Sequence, residues 1–289
     1  MRFGVVFPQT EVGPDRAIVR DYTRAIVEMG YTHLIAYDHV LGADISQRPD
    51  WSGPYSHRSQ FHEPFVLFGY VSALAPELEL VPSVIILPQR QAVLVAKQAA
   101  EVDVLSGGRL RLGVGIGWNE VEYEALGMDF RNRGRRFAEQ IDLLRALFTK
   151  EIVTFEGRFH RVTAAGLNPM PLQQPIPIWI GGSAEPALQR AAEIADGFFP
   201  QRPLEGGWAA TLARMRAWRE AAGRPWESFG IEARINAGSV DDPAAWQRSL
   251  EEWRALGATH ASVNTMGGGL RALDEHLDRL RRVKETLAR

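Results

Sequence analysis

Two short segments carry residue types that could do chemistry at a shared site. Asp38-His39 follows a predicted strand, and a histidine at a strand end is a candidate acid, base or hydrogen-bond donor. The same position also suits a histidine that only bonds to loop backbone. Gly181-Gly182-Ser183 opens a predicted helix, where free N–H groups and the positive helix end favour a phosphate or carboxylate. A tight Gly-Gly turn is the alternative there.

The most informative stretch is residues 106–118, which contains Gly113, Gly115 and Gly117 and ends at Trp118. Alternate residues of a strand point to the same face, so one face of this predicted strand has no side chains. We expect a planar ligand to lie close against that face. No third glycine stands at the dinucleotide-binding offset, and no acidic ribose anchor follows, so the stretch does not predict a Rossmann site.

Other polar residues give weaker signals. Ser83 interrupts an apolar strand predicted over 80–87 and suits either a bulge near a ligand or an ordinary interior serine. His57 and His62 lie in one irregular loop, where solvated histidines are expected, and the remaining histidines lack ligand spacing. We therefore predict no metal site.

The composition excludes several classes of function. The 289 residues include 33 basic and 35 acidic side chains and no cysteine, so no basic excess points to nucleic acid and no disulfide or thiolate site is available. No apolar run is long enough to cross a bilayer. The N-terminus begins as a strand rather than a signal peptide, and the prediction is a cytoplasmic protein without a membrane partner.

Short apolar runs alternate with amphipathic segments along the whole chain. Strands are predicted at 3–8, 33–38, 80–87, 110–117, 176–181, 197–200, 230–236 and 260–265. Helices are predicted at 15–29, 64–75, 91–105, 131–148, 184–195, 207–222, 243–256 and 270–287, with glycine and proline at their ends. Eight such units predict a (β/α)8 TIM barrel forming one domain over residues 1–289. A doubly wound open sheet is the alternative.

Two stretches interrupt this alternation, after the second and fourth strands. Residues 40–62 form a long loop, and residues 150–175 contain a hairpin-like insertion. Long loops that follow strands lie on the catalytic face of this fold. We therefore expect both to wall the substrate pocket. Their aromatic residues suggest an apolar substrate: Trp51, Tyr55, Phe61, Phe155 and Phe159.

Taken together, the segments resemble the luciferase-like monooxygenase superfamily, and most closely its coenzyme F420-dependent oxidoreductases. The resemblance spans nearly the whole chain. Its matching pieces are Phe7-Pro8-Gln9, Asp38-His39, Glu63-Pro64, Pro88-x-Arg90, residues 105–109, residues 112–118, Glu122-Tyr123, Arg133-Gly134, Glu139, residues 177–182 and residues 195–198.

The resemblance implies a reduced flavin or deazaflavin in the barrel mouth, with coenzyme F420 expected and FMN as the alternative. It implies a non-prolyl cis peptide at Ser83–Val84 behind the cofactor ring, and a hydrogen-bond or proton-donor role for His39. It also implies that residues 181–183 hold the phosphate and that Arg90 meets the acidic tail of the deazaflavin. The implied cofactor-binding residues are Asp38, Ser83, Val84, Arg90, Gly115, Gly117, Trp118, Gly181, Gly182 and Ser183.

One departure from the family pattern bears on the reaction. The sugar-phosphate dehydrogenases of this branch carry a catalytic glutamate after the glycine run, where this chain has Trp118. A tryptophan cannot exchange a proton in that way, so alcohol oxidation of that type is not expected. Trp118 is predicted to wall the pocket. Glu120 or Glu122 is a substitute acid, or an exposed residue on a helix surface.

Three functions remain open from the sequence. The first is hydride transfer between coenzyme F420 and a small organic substrate. The second is a two-component monooxygenase that uses FMNH2 and oxygen, and the third is a non-catalytic flavin carrier or sensor. A homodimer and a separate flavin or F420 reductase are expected partners, both implied by the resemblance.

Overall fold

A computed structural model describes residues 1–287 as a nearly closed parallel barrel flanked by helices. The strands are β1 Arg2–Val6, β2 His33–Ala36, β3 Glu79–Pro82, β4 Ile85–Ile86, β5 Leu112–Gly115, β6 Val153–Glu156, β7 Arg161–Ala165, β8 Ile178–Gly182, β9 Gly197–Pro200, β10 Gly230–Asn236 and β11 His260–Asn264. The helices are α1 Arg16–Glu28, α2 Pro64–Leu74, α3 Ala92–Leu105, α4 Glu120–Ala125, α5 Arg133–Thr149, α6 Glu185–Ile194, α7 Gly207–Ala221, α8 Pro243–Ala255 and α9 Leu273–Leu287.

The barrel follows one continuous hydrogen-bonded order, β3-β2-β1-β11-β10-β9-β8-β5-β4. β3 pairs with β2 and β4 pairs with β5, so these two short strands are the two parts of one barrel strand. A bridge between Leu80 and Leu110 brings the two ends of the order together. Eight strand positions result, which confirms the predicted TIM barrel and rules out the open sheet.

Each predicted strand and helix is present, with shifted ends. The predicted strands 33–38 and 110–117 end earlier, at Ala36 and Gly115, because their last residues leave the sheet to line a cavity. α4, a helix of six residues after the glycine run, is absent from the prediction. No helix within residues 1–287 is long and apolar enough to cross a membrane.

The two predicted insertions occupy different places. The loop 40–62 follows β2 and reaches the cavity through Tyr55. The hairpin β6–β7 follows helix α5 rather than a strand, and the carboxylate of Glu139 on α5 holds it through the N–H groups of residues 158–160. The expectation that residues 150–175 wall the pocket is therefore wrong, and none of them lines the cavity.

Charged side chains close the N-terminal end of the barrel, in what we term the barrel floor: Arg2, His33, Glu79, Arg111, Glu232 and His260. Arg111 donates to Glu232 Oε2 at 2.8 Å and to Glu79 Oε2 at 3.1 Å, and His33 Nε2 lies 3.0 Å from Glu232 Oε1. The guanidinium of Arg111 also stacks on the ring of Trp179, 4.3 Å from its centroid. Above this floor, a small apolar layer that includes Val6, Val81 and Phe199 fills the barrel interior.

Candidate active site

A cavity of about 630 Å³ opens at the C-terminal ends of the strands, above the apolar layer. This is the end at which the loops of a TIM barrel build their sites. Nine of the residues predicted for cofactor binding line it, and so does His39. The nine are Asp38, Ser83, Val84, Gly115, Gly117, Trp118, Gly181, Gly182 and Ser183.

His39 is held by a carboxylate. Its Nδ1 lies 3.1 Å from Oε1 of Glu122, a residue of α4 that is only 1% exposed. The same carboxylate accepts the backbone N–H of Val40 at 2.9 Å and the amide of Gln89 at 3.1 Å. Burial raises the pKa of Glu122, but the hydrogen bonds and charge of His39 and the bond from Gln89 outweigh it, so the pKa lies below its ordinary value.

This pairing determines what the imidazole can do. With Nδ1 donating to Glu122, the neutral ring leaves Nε2 as an acceptor, and the protonated ring leaves Nε2–H as a donor. A ring fixed in this way can exchange one proton with a bound molecule through one defined atom. Glu122 is thus buried against His39, and the alternative of an exposed helix residue is wrong.

Aromatic side chains surround the imidazole on the cavity side. Its ring centroid lies 4.6 Å from Phe61, 5.0 Å from Tyr55 and 5.8 Å from Trp118. Trp118 in turn packs against Trp51 at 5.6 Å. The loop 40–62 and the residue after the glycine run therefore form one wall, as the sequence predicts for the loop. Phe155 and Phe159 lie in the hairpin on α5 and have no part in it.

Arg90 is the exception among the predicted cofactor-binding residues. It donates to Asp38 Oδ1 at 2.7 Å and to Glu63 Oε1 at 3.1 Å, and it does not line the cavity. Asp38 also accepts the N–H of Ile86 through its other oxygen. Two carboxylates from distant parts of the chain already occupy this guanidinium, so the prediction that it meets an acidic cofactor tail is wrong. Arg90 instead ties the ends of β2 and β4 together.

The glycine-rich face of β5 is covered by protein. A Cβ on Gly115 would lie 2.6 Å from Val84 Cγ2, and one on Gly117 would lie 2.6 Å from Ile86 Cγ2. Gly181 on β8 likewise faces Val84, at 2.9 Å. The peptide bond Ser83–Val84 is cis, as the resemblance implies. The expectation of a ligand directly on the glycine face needs correction, because Gly115 and Gly181 make room for Val84 and Gly117 makes room for Ile86, and both of these side chains line the cavity.

The N-terminus of α6 borders the cavity beside β8. Gly181, Gly182, Ser183 and Ala184 all line it, and no side chain caps the first turn of this helix of ten residues. Pro186 has no N–H and the N–H of Ala187 donates to the carbonyl of Ala184 at 2.8 Å, so the donors left for a phosphate are the backbone N–H groups ahead of Pro186 and the Ser183 hydroxyl. These residues fit the phosphate that FMN and coenzyme F420 both carry.

Several cavity residues are absent from the sequence prediction. The sequence names Glu122 only as a substitute acid and does not predict its contact with His39, because helix α4 is too short to be recognised from periodicity. Arg234 on β10, Gln201 after β9 and Asn264 on β11 also line the cavity. These three residues could have been predicted from the sequence, because each lies at or near the C-terminal end of a barrel strand.

Comparison with known proteins agrees with this geometry. A sequence profile described as luciferase-like monooxygenase matches residues 1–287. The chain is 31% identical to an F420-dependent glucose-6-phosphate dehydrogenase of Nakamurella multipartita over 269 residues, which cover 89% of this chain and 73% of the relative.

Two further matches extend the comparison. The chain is 30% identical to an FMNH2-dependent dimethylsulfone monooxygenase of Pseudomonas putida over 187 residues, which cover 63% of this chain and 51% of that protein. The crystal structure of a monooxygenase from Streptomyces bottropensis superposes with a TM-score of 0.80 at 20% identity, covering 100% of this chain and 99% of that one, and so shares the fold. The relatives are oxidoreductases, and this chain belongs to the luciferase-like monooxygenase family.

Proposed function

We propose that this protein is an oxidoreductase that transfers a hydride between coenzyme F420 and a small organic substrate. The observation that carries the proposal is His39, which lines the same cavity as the N-terminus of α6 and has its Nδ1 fixed by Glu122. When bound, coenzyme F420 supplies or accepts the hydride. His39 gives a proton to the substrate heteroatom when the carbon is reduced, and takes one when it is oxidised.

One sequence pattern favours coenzyme F420 over FMN: Asp38-His39 and Ser83-Val84 resemble the deazaflavin branch more than the FMN branch. Alignment length does not separate the two cofactors, because the F420-dependent relative aligns over 89% of the chain and two FMNH2-dependent relatives align over 63% and 83%. A separate reductase that restores the coenzyme after each turnover belongs to the same proposal.

The test is a comparison of cofactor binding by the purified protein. Trp118 lines the cavity and packs against Trp51 behind it, so quenching of tryptophan fluorescence should report occupancy. We expect micromolar or tighter binding of coenzyme F420 and at least about tenfold weaker binding of FMN. A preference for FMN would overturn the proposal and support an oxygen-using monooxygenase. Binding of neither would contradict both enzymatic functions.

We also propose that two copies of the chain associate through α2 and α3. These neighbouring helices expose several large apolar side chains to solvent, among them Val66 at 73% and Leu94 at 51%. A helix that is apolar beyond its core-facing side indicates a second buried contact.

Replacing Val66 with glutamate is expected to convert the dimer to a monomer, because a charge would be buried without a partner at the interface. Light scattering coupled to size-exclusion chromatography measures the mass directly. Val240→Glu, at an exposed valine before α8, is the matched control and should remain dimeric. A wild-type protein that is monomeric at every concentration, or a Val66→Glu variant that stays dimeric, would contradict this interface.

A further inference from the structure

Arg234 is the only lysine or arginine among the cavity-lining residues that the structure describes. It stands on β10 two residues beyond Glu232, so both side chains face the barrel interior and Arg234 lies one layer nearer the mouth. Its guanidinium carbon lies 5.4 Å from the ring centroid of Tyr37. Within residues 1–287 it has no carboxylate within ion-pair distance, and its buried Nε has no hydrogen-bond partner.

The carboxylates that line the same cavity are each engaged elsewhere. Asp38 is paired with Arg90, and Glu122 is paired with His39. Glu11 accepts the N–H of Gly267 at 2.8 Å, and its other oxygen lies 3.5 Å from His276 Nε2. A partly buried guanidinium without an anion is costly, because neither water nor protein fully replaces its solvation. Glu11 keeps its own negative charge, because its Oε2 has no hydrogen-bond partner and burial lowers the pKa of His276 to about 4. No carboxylate within residues 1–287 lies at ion-pair distance from Arg234, so its guanidinium still lacks a direct anionic partner.

Neutral donors flank this charge on both sides. Gln201 follows β9 and Asn264 ends β11, the two strands that neighbour β10. Asn264 accepts the N–H of Met266 through Oδ1, which leaves its amide N–H groups for a ligand. Three adjacent strands thus present donors toward one region of the cavity, and this is the environment that a carboxylate or sulfonate requires.

Tyr55 links this region to His39. Its ring lies 5.0 Å from that of His39. Burial and the neighbouring Tyr37 raise the pKa of Tyr55, while the positive charge of Arg234 opposes the rise, so the phenol lies within the field of the guanidinium. An anionic group held at Arg234 would share the cavity with the imidazole that exchanges protons.

From these observations, and resting on the proposed function, we propose that the substrate is a small organic anion whose carboxylate or sulfonate binds to Arg234. This corrects the expectation of an apolar substrate, which relied on five aromatic residues. Of those five, only Tyr55 lines the cavity, and its phenol lies in the field of the Arg234 guanidinium.

Binding of benzoate and benzamide, two probes of matched shape and different charge, tests the proposal in the full-length protein. We expect benzoate to bind about tenfold more tightly than benzamide, both without coenzyme and with F420 present, since one charge-assisted hydrogen-bond pair accounts for that ratio. Arg234→Met should bring the ratio to about one, while Arg234→Lys should retain part of it. Arg161→Met, at an exposed arginine of the outer hairpin, should leave it unchanged.

Several results would overturn the proposal. The proposal fails if the wild-type protein binds the two probes equally or does not detectably bind benzoate. It also fails if the ratio of the two affinities is unchanged in Arg234→Met. The first two results are measured on the wild-type protein, so they do not depend on whether the variant folds. If Arg234→Met instead weakens F420 binding about tenfold, the guanidinium serves the coenzyme and the assignment to substrate is wrong. If F420 binds but benzoate is not preferred, this inference is wrong and the proposed function stands. If benzoate is preferred but F420 does not bind, the proposed function is wrong and the anion site at Arg234 stands.

Discussion

Replacing His39 with alanine is expected to lower kcat by about 10²- to 10⁴-fold, the range for loss of one positioned acid–base group. Coenzyme binding should stay near the wild-type affinity, because the phosphate-suited donors are on β8 and α6, away from His39. The rate would be measured as oxidation of reduced F420 with a carboxylate substrate found by screening. His57→Ala, a half-exposed histidine of the same loop, is the matched control and should behave as wild type.

The Glu122→Gln variant tests whether Glu122 assists proton exchange by His39 or only packs against it. The amide keeps the size of the carboxylate but lacks its charge, so the hydrogen bond that fixes Nδ1 of His39 is weakened. We expect a smaller loss of kcat than in His39→Ala, with KM close to the wild-type value. A His39→Ala variant with full turnover would contradict the catalytic assignment. A wild-type kcat in Glu122→Gln would contradict the positioning role of Glu122.

Replacing Glu232 with glutamine should destabilise the fold by about 3–5 kcal/mol, the usual cost of removing one partner from a buried ion pair. Glu232 and Arg111 are each 3% exposed, and Glu79 alone would then remain to neutralise the guanidinium. Denaturant unfolding monitored by circular dichroism gives the difference in the free energy of unfolding. Glu185→Gln, at an exposed pair with Arg214 that is half accessible to solvent, should leave stability unchanged.

Two buried histidines, His260 of the barrel floor and His276 of α9, make stability depend on pH. Burial lowers the pKa of His260 and of His276 from 6.5 to about 4 in the folded protein. Between about pH 6.5 and pH 4 the unfolded chain binds protons at these histidines that the folded chain does not, so the free energy of unfolding falls as pH falls. Burial raises the pKa of Glu232, but His33 and Arg111 together lower it below its ordinary value, so its contribution is lost at still lower pH. Stability that is flat from pH 7 to pH 4 would contradict this account.

The barrel can be predicted from the sequence because the residues that end its helices are recognisable from their local sequence alone. Gly30, Gly107, Gly223 and Gly257 have positive φ next to helix C-termini, and such residues are visible without any tertiary contact. The sequence predicts the hairpin within residues 150–175 but not its position. Loops lie on the catalytic face of a barrel only when they follow a strand. This one follows α5, so it packs on the outside of the barrel.

The site could be predicted only in part because its pairings are long-range. Asp38 and Arg90 are 52 positions apart, and His39 and Glu122 are 83 apart. Nothing local distinguishes an arginine with two carboxylate partners, such as Arg90, from one with none, such as Arg234. The motif located both Arg90 and His39, but only the folded chain shows that the first is occupied and the second is available at the cavity.

Glu232 and Arg234 lie two positions apart on β10, so one strand carries both a residue for stability and a residue for ligand binding. Glu232 belongs to the ion-pair network of the barrel floor, and Arg234 is not part of that network. Arg234 faces the cavity and has no ion-pair partner within residues 1–287. Exchange of Arg234 should therefore leave the stability of the scaffold almost unaffected. Under the proposed role of Arg234, a mutation in this one codon would change the substrate class without first requiring compensating mutations elsewhere.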